Sequence, residues 1–287
     1  MRSNPASPHR GGDPTVADGR SGRALPCDLR STAPTVAIMT RSGSTSPTTD
    51  HRHTGPVPPA PPYPADVSDA GDVPWAAVVL AGGSSRRWAG RDKTTVPLAG
   101  RTVLEHAVAA VLPQAVEVVV VAPADHPARP AVWDAALAVG RPLLWTREDP
   151  PGGGPLAGLA AGLASLGALD GLDGLDGPPG IVVLVAGDLP FARTACPRLV
   201  AALTAAQDAG AAVGIDPDGR RQPLLAAYRT ALLRRPFVDS DVTDRPLRDL
   251  LAGLVVAEVP VTAVEALDLD TPQDAEAAER LLADLCR

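Results

Sequence analysis

The stretch of the sequence with the clearest chemistry is residues 80–93, which read LAGGSSRRWAGRDK. Two adjacent glycines, Gly82 and Gly83, follow a short apolar run over 75–80 that has the composition of a buried strand. Glycine lets backbone N–H groups close on an anion without a Cβ in the way. Arg87 and Lys93 can neutralise charge that backbone donors alone leave uncompensated. A strand that ends in a glycine-rich, cationic loop therefore indicates a site for a polyphosphate.

Two better-known phosphate loops do not fit this stretch. A P-loop ends in Gly-Lys-Ser/Thr, whereas Asp92 precedes Lys93 here. The dinucleotide fingerprint is G-x-G-x-x-G, whereas these glycines are adjacent. The alternative is a cationic surface loop after a core strand, and the glycine placement and charge density favour the phosphate site over it.

A carboxylate follows the most hydrophobic run of the chain. Residues 181–186 read IVVLVA and predict a strand, and the sequence GDLP, with Asp188 as its acid, comes directly after it. Ligands of doubly wound sheets lie at the carboxyl ends of strands, and Mg²⁺ binds through one or two carboxylates together with substrate phosphates. We therefore predict that Asp188 is a magnesium ligand. The alternative is that Asp188 caps a helix that begins near Thr194.

Two further carboxylates stand before the last predicted helix, over 273–285. Asp268 and Asp270 are two residues apart, so in an extended segment they point to the same side. Thr271 and Pro272 follow, and we expect Thr271 to cap that helix with Pro272 at its first position. Capping by Thr271 is compatible with a metal contact from either aspartate.

A second glycine-rich loop lies at 150–158 and reads PPGGGPLAG. Its glycines and prolines exclude a helix interior, and Pro155 suits the first position of a helix predicted over 156–166. Backbone N–H groups at that helix start can meet an anion or the edge of a base. The alternative is that the segment is only a connection between two elements.

Apolar patterns in the rest of the chain alternate between helices and strands. Helices are predicted over 102–112, 131–139, 195–209 and 245–251, and strands over 118–122, 142–145, 211–215, 224–228 and 255–259. The alternation predicts an α/β fold with a three-layer, Rossmann-like, mostly parallel sheet and helices on both faces. The DPDG turn at 216–219 predicts a small antiparallel excursion from that sheet.

Composition divides the chain into two parts. Residues 1–73 are rich in Pro, Ser, Thr, Gly and Arg without apolar periodicity, and we interpret them as a disordered tail. Residues 74–287 are expected to form the folded domain. The net charge of -7 argues against nucleic-acid binding. The three cysteines lack metal-ligand spacing, and no apolar run suits a signal peptide or a membrane span, so we expect a cytoplasmic protein.

Taken together, these motifs resemble the molybdenum cofactor guanylyltransferase family of nucleotidyltransferases. The family's first motif runs Leu-Ala-Gly-Gly, then an arginine, a hydrophobic residue, one or two glycines and Asp-Lys. Arg87, Trp88, Gly90, Asp92 and Lys93 fill those places here, although methionine or phenylalanine is more common at Trp88 and a first glycine is usual where this chain has alanine. The elements PLAG, GDLP and DLDTP are similar to the family's second nucleotide loop, its metal-binding aspartate motif and its Asn-x-Asn-Thr-Pro segment.

The resemblance implies an enzyme that moves GMP from GTP to the phosphate of molybdopterin cofactor and releases pyrophosphate, with Mg²⁺ as its cofactor. Positioning and electrostatics would suffice for that chemistry, so no covalent nucleophile is expected. Expected partners are GTP and molybdopterin cofactor as substrates and molybdoenzymes or cofactor-insertion proteins as contacts, with neither nucleic acid nor membrane. The site residues are Arg87, Lys93 and Asp188 for catalysis; Leu80, Ala81, Gly82, Gly83, Lys93, Pro155, Leu156 and Gly158 for the nucleotide; Asp188, Asp268 and Asp270 for the metal; and Arg221, Gln222 and Arg245 for the acceptor.

Three alternatives stay open from the sequence. Molybdenum cofactor cytidylyltransferases usually have Leu-Ala-Ala-Gly in the first motif, so Gly83 favours guanine, whereas Gly-Asp-x-Pro at Asp188 is closer to the cytidylyl version. A phospholactate or sugar-phosphate nucleotidyltransferase would use the same parts with another acceptor. A nucleotide-binding partner protein without catalysis is the third alternative, and the intact set of Lys93, Asp188 and Asp270 argues against it.

Overall fold

The structure is a computed structural model that describes residues 73–82, 88, 90–167, 179–234, 243 and 245–285. Its strands are β1 (Trp75–Leu80), β2 (Pro97–Leu98), β3 (Arg101–Thr102), β4 (Glu117–Val121), β5 (Leu143–Thr146), β6 (Ile181–Ala186), β7 (Ala211–Ile215), β8 (Arg221–Arg229) and β9 (Val256–Pro260). Its helices are α1 (Val103–Val111), α2 (Arg129–Ala138), α3 (Gly154–Ser165), α4 (Ala195–Ala205), α5 (Thr230–Arg234), α6 (Arg248–Leu251) and α7 (Pro272–Leu285). The tail prediction for residues 1–73 falls almost wholly outside the described residues, as do Gly83 and Arg87.

Within the described residues, seven strands form one sheet in the order β5-β4-β1-β6-β8-β7-β9. Strands β5, β4, β1 and β6 pair in parallel, and so do β7 and β9. Strand β8 is antiparallel to both of its neighbours, β6 and β7. The predicted α/β fold with an antiparallel excursion is therefore confirmed, and the reversed strand lies inside the sheet.

The sheet is covered by helices on both faces, which gives the predicted three layers. Alternate residues of β1 show this: Ala77 and Val79 join a core cluster with α1, α2 and α4, whereas Ala76 and Val78 join one with α3. All four are fully buried. A strand that is buried on both faces requires an unbroken apolar run, which is the pattern that predicted it.

A third core cluster holds the last helix against the β2-β3 hairpin. It includes Leu98, Phe191, Leu269 and Leu282, of which Leu98 and Leu269 are fully buried. Helix α7 starts in a reciprocal cap, as predicted for Thr271: Asp274 N–H donates to Thr271 Oγ1 at 3.3 Å, and Thr271 N–H donates to Asp274 Oδ2 at 2.7 Å. This cap and the burial of Leu269 fix the short acidic segment 268–270 that precedes the helix.

Two predicted helix boundaries differ from the structure by more than two residues. The helix expected over 245–251 is reduced to α6, which begins at Arg248, and Pro246 disfavours helical geometry at Arg245. Helix α4 ends at Ala205 and not at 209, since the guanidinium of Arg229 donates to the carbonyls of Leu203 and Ala206 at 3.1 and 3.2 Å and satisfies the helix end there.

None of the helices in the described ranges is long and apolar enough to cross a membrane.

Glu265 connects α4 to the segment after β9, and its loss should destabilise the fold. Its buried carboxylate accepts hydrogen bonds from Thr194 Oγ1 at 2.6 Å, Arg198 Nη2 at 2.6 Å and the Thr262 N–H at 2.8 Å. Burial raises the pKa of Glu265, but these donors outweigh it and hold the pKa below its ordinary value. We expect Glu265→Gln to lower the free energy of unfolding by about 2 kcal/mol at neutral pH.

A depressed pKa sets the pH dependence of this effect. The carboxylate stabilises the fold fully above its unfolded pKa, near 4.5, and this contribution is lost as the pH falls through the lower folded pKa. Urea unfolding at several pH values should therefore show wild type and Glu265→Gln converging in acid. Glu258→Gln is the control, because Glu258 forms an exposed pair with Arg221; an equal loss in both variants would contradict the assignment.

Candidate active site

A cleft of about 780 Å³ opens at the carboxyl ends of β1, β5 and β6. Its walls include the residues that follow these strands: Gly82 after β1, Glu148 after β5 and Asp188 after β6. The strand ends are close together because Gly187 has no side chain. A Cβ there would lie 2.9 Å from the Ala81 Cβ, and the Gly187 N–H donates to the Leu80 carbonyl at 2.8 Å. The cleft is within the size range of small-ligand sites.

Lys93, the only lysine in the sequence, lies at one end of the cleft. Its Nζ forms an ion pair with Asp188 and donates to Asp270 Oδ1 at 2.6 Å. Burial disfavours the ammonium form, but the charges and hydrogen bonds of Asp188 and Asp270 outweigh it and raise the pKa of Lys93. Lys93 is thus a permanent cation at neutral pH, and the structure brings this lysine of the predicted polyphosphate loop together with Asp188 and Asp270, two of the predicted metal ligands.

The turn that presents Lys93 is fixed by its neighbours. Asp92 Oδ1 accepts hydrogen bonds from the N–H and the Oγ1 of Thr94 at 2.9 and 2.7 Å. Thr94 Oγ1 also lies 2.9 Å from Nε2 of the buried His126, whose Nδ1 accepts the Ala128 N–H at 3.2 Å. Because Nδ1 accepts, Nε2 carries the proton and donates to Thr94. Burial lowers the pKa of His126, so the ring is neutral and keeps this tautomer.

Three carboxylates gather beside Lys93. One oxygen each from Asp188, Asp268 and Asp270 lie within 4.8 Å of one another. Burial raises the pKa of Asp268, and the negative charges of Asp270 and Asp188 add to the effect. Asp188 does not cap a helix: α4 has no side-chain cap, and the Asp188 carboxylate faces Lys93. Three hard oxygen donors offset by one ammonium form a set that suits a divalent cation such as Mg²⁺.

The second glycine-rich segment also lines the cleft. Pro155 and Gly158 line it, and α3 begins at Gly154, so Pro155 takes the second helical position and not the first. Gly158 lies against β1, where a Cβ would be 3.4 Å from Leu80 Cδ2. The side chain of Leu156 is buried in the core and leaves only its backbone for a nucleotide.

Several cleft residues were not predicted from the sequence. Glu148 accepts the Gly152 N–H at 3.0 Å through Oε1, and a Cβ on Gly82 would lie 3.2 Å from that oxygen. Its Oε2 is buried and has no hydrogen-bond donor among the described residues. Arg147 precedes it on the wall. The position of both residues shortly after the strand predicted over 142–145 was a signal for them. Nothing in the sequence indicated Thr94, which lines the cleft, or His126, which contacts Thr94.

The three predicted acceptor residues lie outside the cleft lining and have other partners. Arg221 pairs with Glu258 at 2.8 Å, and Gln222 donates to Asp216 Oδ2 at 2.8 Å. Arg245 lies 3.3 Å from Asp249. Leu224, further along β8, is the residue of that strand that reaches the cleft. The structure does not group these side chains with Lys93 and Asp188, and their role stays a prediction.

A mostly parallel sheet with a lysine and a carboxylate cluster at its carboxyl edge suits the nucleotidyltransferase class of enzymes. Residues 77–254 match the family model described as MobA-like NTP transferase domain. The protein belongs to the molybdenum cofactor guanylyltransferase family. The family predicted from the motifs is therefore confirmed.

The relatives match over most of their lengths. The molybdenum cofactor guanylyltransferase of Bradyrhizobium sp. strain ORS 278 is 34% identical over 217 residues, which cover 72% of this chain and 92% of that protein. That of Rhodobacter capsulatus is 32% identical over 204 residues, or 71% of this chain and 94% of that protein. The crystal structure of molybdopterin-guanine dinucleotide biosynthesis protein A from Archaeoglobus fulgidus shares the fold, with a TM-score of 0.50 and 22% identity over 73% of this chain and 99% of that one.

Proposed function

We propose that residues 74–287 form a nucleotidyltransferase domain that transfers GMP from GTP to the phosphate of molybdopterin cofactor and releases pyrophosphate. Family membership supports the reaction, since the relatives named above are guanylyltransferases. The observation that carries the proposal is the meeting of Lys93 with Asp188 and Asp270, because a lysine and clustered carboxylates at one end of a cleft suit a triphosphate and its metal.

The phosphate end of the cleft would neutralise charge. Asp188, Asp268 and Asp270 would hold Mg²⁺, which when bound makes the α-phosphate more electrophilic and screens its charge. Lys93 would move from the carboxylates to the β- and γ-phosphates and stabilise the leaving pyrophosphate. An oxygen of the acceptor phosphate forms a bond to the α-phosphorus as the bond from that phosphorus to the bridging oxygen of pyrophosphate breaks. Arg87 is proposed to assist at the pyrophosphate.

The other end would hold the nucleoside. Residues 80–82 and the loop before α3 line the cleft together with Glu148, whose Oε2 has no hydrogen-bond donor in the part of the chain that the structure describes. Guanine offers N–H donors along its Watson–Crick edge, so an acceptor wall suits it. Arg221 and Arg245 are proposed contacts of the acceptor together with Gln222. Each arginine is held by an acidic partner that an anionic acceptor would have to displace.

Nucleotide protection tests this function. We expect GTP with Mg²⁺ to raise the melting temperature measurably, because a ligand at 100 times its Kd stabilises the folded state by about 2.7 kcal/mol. CTP is the matched control and should protect much less. Pyrophosphate release should require GTP, Mg²⁺ and molybdopterin cofactor together. Protection by CTP but not by GTP would indicate a cytidylyltransferase. Turnover with a phospholactate or a sugar phosphate would indicate that this compound, and not molybdopterin cofactor, is the acceptor.

The same assays separate catalysis from binding alone. Protection by GTP without pyrophosphate from any acceptor would indicate a nucleotide-binding partner protein, and it would contradict the proposal.

A further inference from the structure

Trp88 connects two segments of the site that are far apart in the sequence. Its indole Nε1 donates to the backbone carbonyl of Leu269 at 3.1 Å, across 181 positions of the sequence. Trp88 belongs to the phosphate loop and lines the cleft, whereas Leu269 lies between Asp268 and Asp270. The hydrogen bond therefore joins the loop expected to bind the triphosphate to the segment that supplies two of the three clustered carboxylates.

Leu269 is held at both of its backbone polar atoms. Its carbonyl accepts from Trp88, and its N–H donates to the backbone carbonyl of Asp188 at 3.3 Å. Its side chain is fully buried in the third core cluster. A residue fixed at its N–H, its carbonyl and its side chain leaves little freedom to the two residues beside it. The directions in which Asp268 and Asp270 leave the backbone thus depend on these contacts.

We propose that Trp88 is a positioning residue for the metal site. Its indole N–H fixes the Leu269 carbonyl and thereby sets Asp268 and Asp270 at the spacing from Asp188 that a divalent cation requires. This inference rests on the proposed function, because it assumes that the three carboxylates bind the metal. Groups that orient metal ligands without touching the ion change its affinity about 10- to 100-fold when they are removed.

The test is the affinity of the full-length protein for Mn²⁺ with GTP present, measured from the signal of free Mn²⁺ in electron paramagnetic resonance. Trp88→Phe keeps an aromatic ring and removes the N–H donor. We expect the Mn²⁺ dissociation constant to rise about tenfold, at the lower end of that range because Trp88 acts through a backbone carbonyl. The dissociation constant for GTP without metal should change less than about twofold. A general disturbance of the cleft would weaken the binding of both GTP and Mn²⁺, whereas the proposal expects weaker binding of Mn²⁺ alone.

Trp133→Phe is the matched control. Its indole N–H is buried but has no hydrogen-bond partner among the described residues, so its removal should leave Mn²⁺ binding unchanged. Trp88→Met also lacks the N–H and should bind Mn²⁺ as weakly as Trp88→Phe. Agreement between the two variants would show that the loss of affinity is not caused by the phenyl ring. Melting curves of all variants establish that they are folded.

Two outcomes are distinguishable. Wild type that binds Mn²⁺ with the same affinity as both Trp88 variants would overturn the positioning role and leave the proposed function intact. Wild type that binds neither Mn²⁺ nor GTP would overturn the proposed function and this inference with it.

Discussion

Asp188→Asn is expected to reduce metal-dependent pyrophosphate release by about a thousandfold while the fold is retained. Asp188 is the buried member of the carboxylate cluster, and its own oxygen pairs with Lys93. The amide has the same shape but no charge, so it weakens the attraction for both a divalent cation and the ammonium. Removing one of three clustered carboxylates also relieves repulsion, so the melting temperature should change little.

The measurement is pyrophosphate production from GTP and molybdopterin cofactor, with circular dichroism and melting curves to establish the fold. Asp218→Asn is the control, because that carboxylate lies in an exposed pair with Arg220 and should matter little. Activity in Asp188→Asn within tenfold of wild type would contradict the assignment of the cluster to catalysis, as would equal losses in the two variants.

Lys93→Met is expected to have two opposite effects. Pyrophosphate release should fall about 100- to 1,000-fold, because the leaving group loses its cation. Mn²⁺ binding without nucleotide should become tighter, by about tenfold, because the ammonium no longer competes for Asp188 and Asp270. In wild type we therefore expect nucleotide and metal to bind cooperatively, because phosphates that pair with Lys93 would free Asp188 and Asp270 for a cation.

Titrating both proteins with Mn²⁺ in the presence and absence of GTP checks this prediction. Cooperativity between metal and nucleotide should be present in wild type and weaker in Lys93→Met. Arg220→Met, which removes a cation from an exposed pair, should change neither quantity. Weaker Mn²⁺ binding in Lys93→Met than in wild type would show that the lysine does not compete with the metal.

The sequence predicted the first and last residues of a strand well where an apolar run is followed by a turn-forming or polar residue. The bounds of β1, β6 and β7 agree with the prediction to the residue, because each is an apolar run closed by a glycine, an aspartate or a polar turn. The order of the strands in the sheet could not be predicted from local sequence patterns. Strand β8 lies between β6 and β7, and this choice of neighbours depends on burial in the whole sheet, which no single run encodes.

The residues of the candidate site likewise include some that were predicted from the sequence and some that were not. Lys93, Asp188 and Asp270 were predicted because strand ends and motif spacing point to them. The bond from Trp88 to Leu269 and the contact of Thr94 with His126 had no signal in the sequence. Both join residues far apart in the chain whose types are common in ordinary cores, and only the folded chain brings them together.

The single lysine makes this protein suitable for chemical labelling. An acylating reagent that attacks uncharged amines has just two targets in the sequence, the chain's α-amino group and Lys93. The raised pKa of Lys93 and its two acidic partners should make its acylation slow in the ligand-free protein. The mass of a peptide that contains Lys93 shows whether this amine was acylated. Comparing the extent of acylation with and without each substrate or metal would therefore show whether that ligand makes the amine more or less accessible.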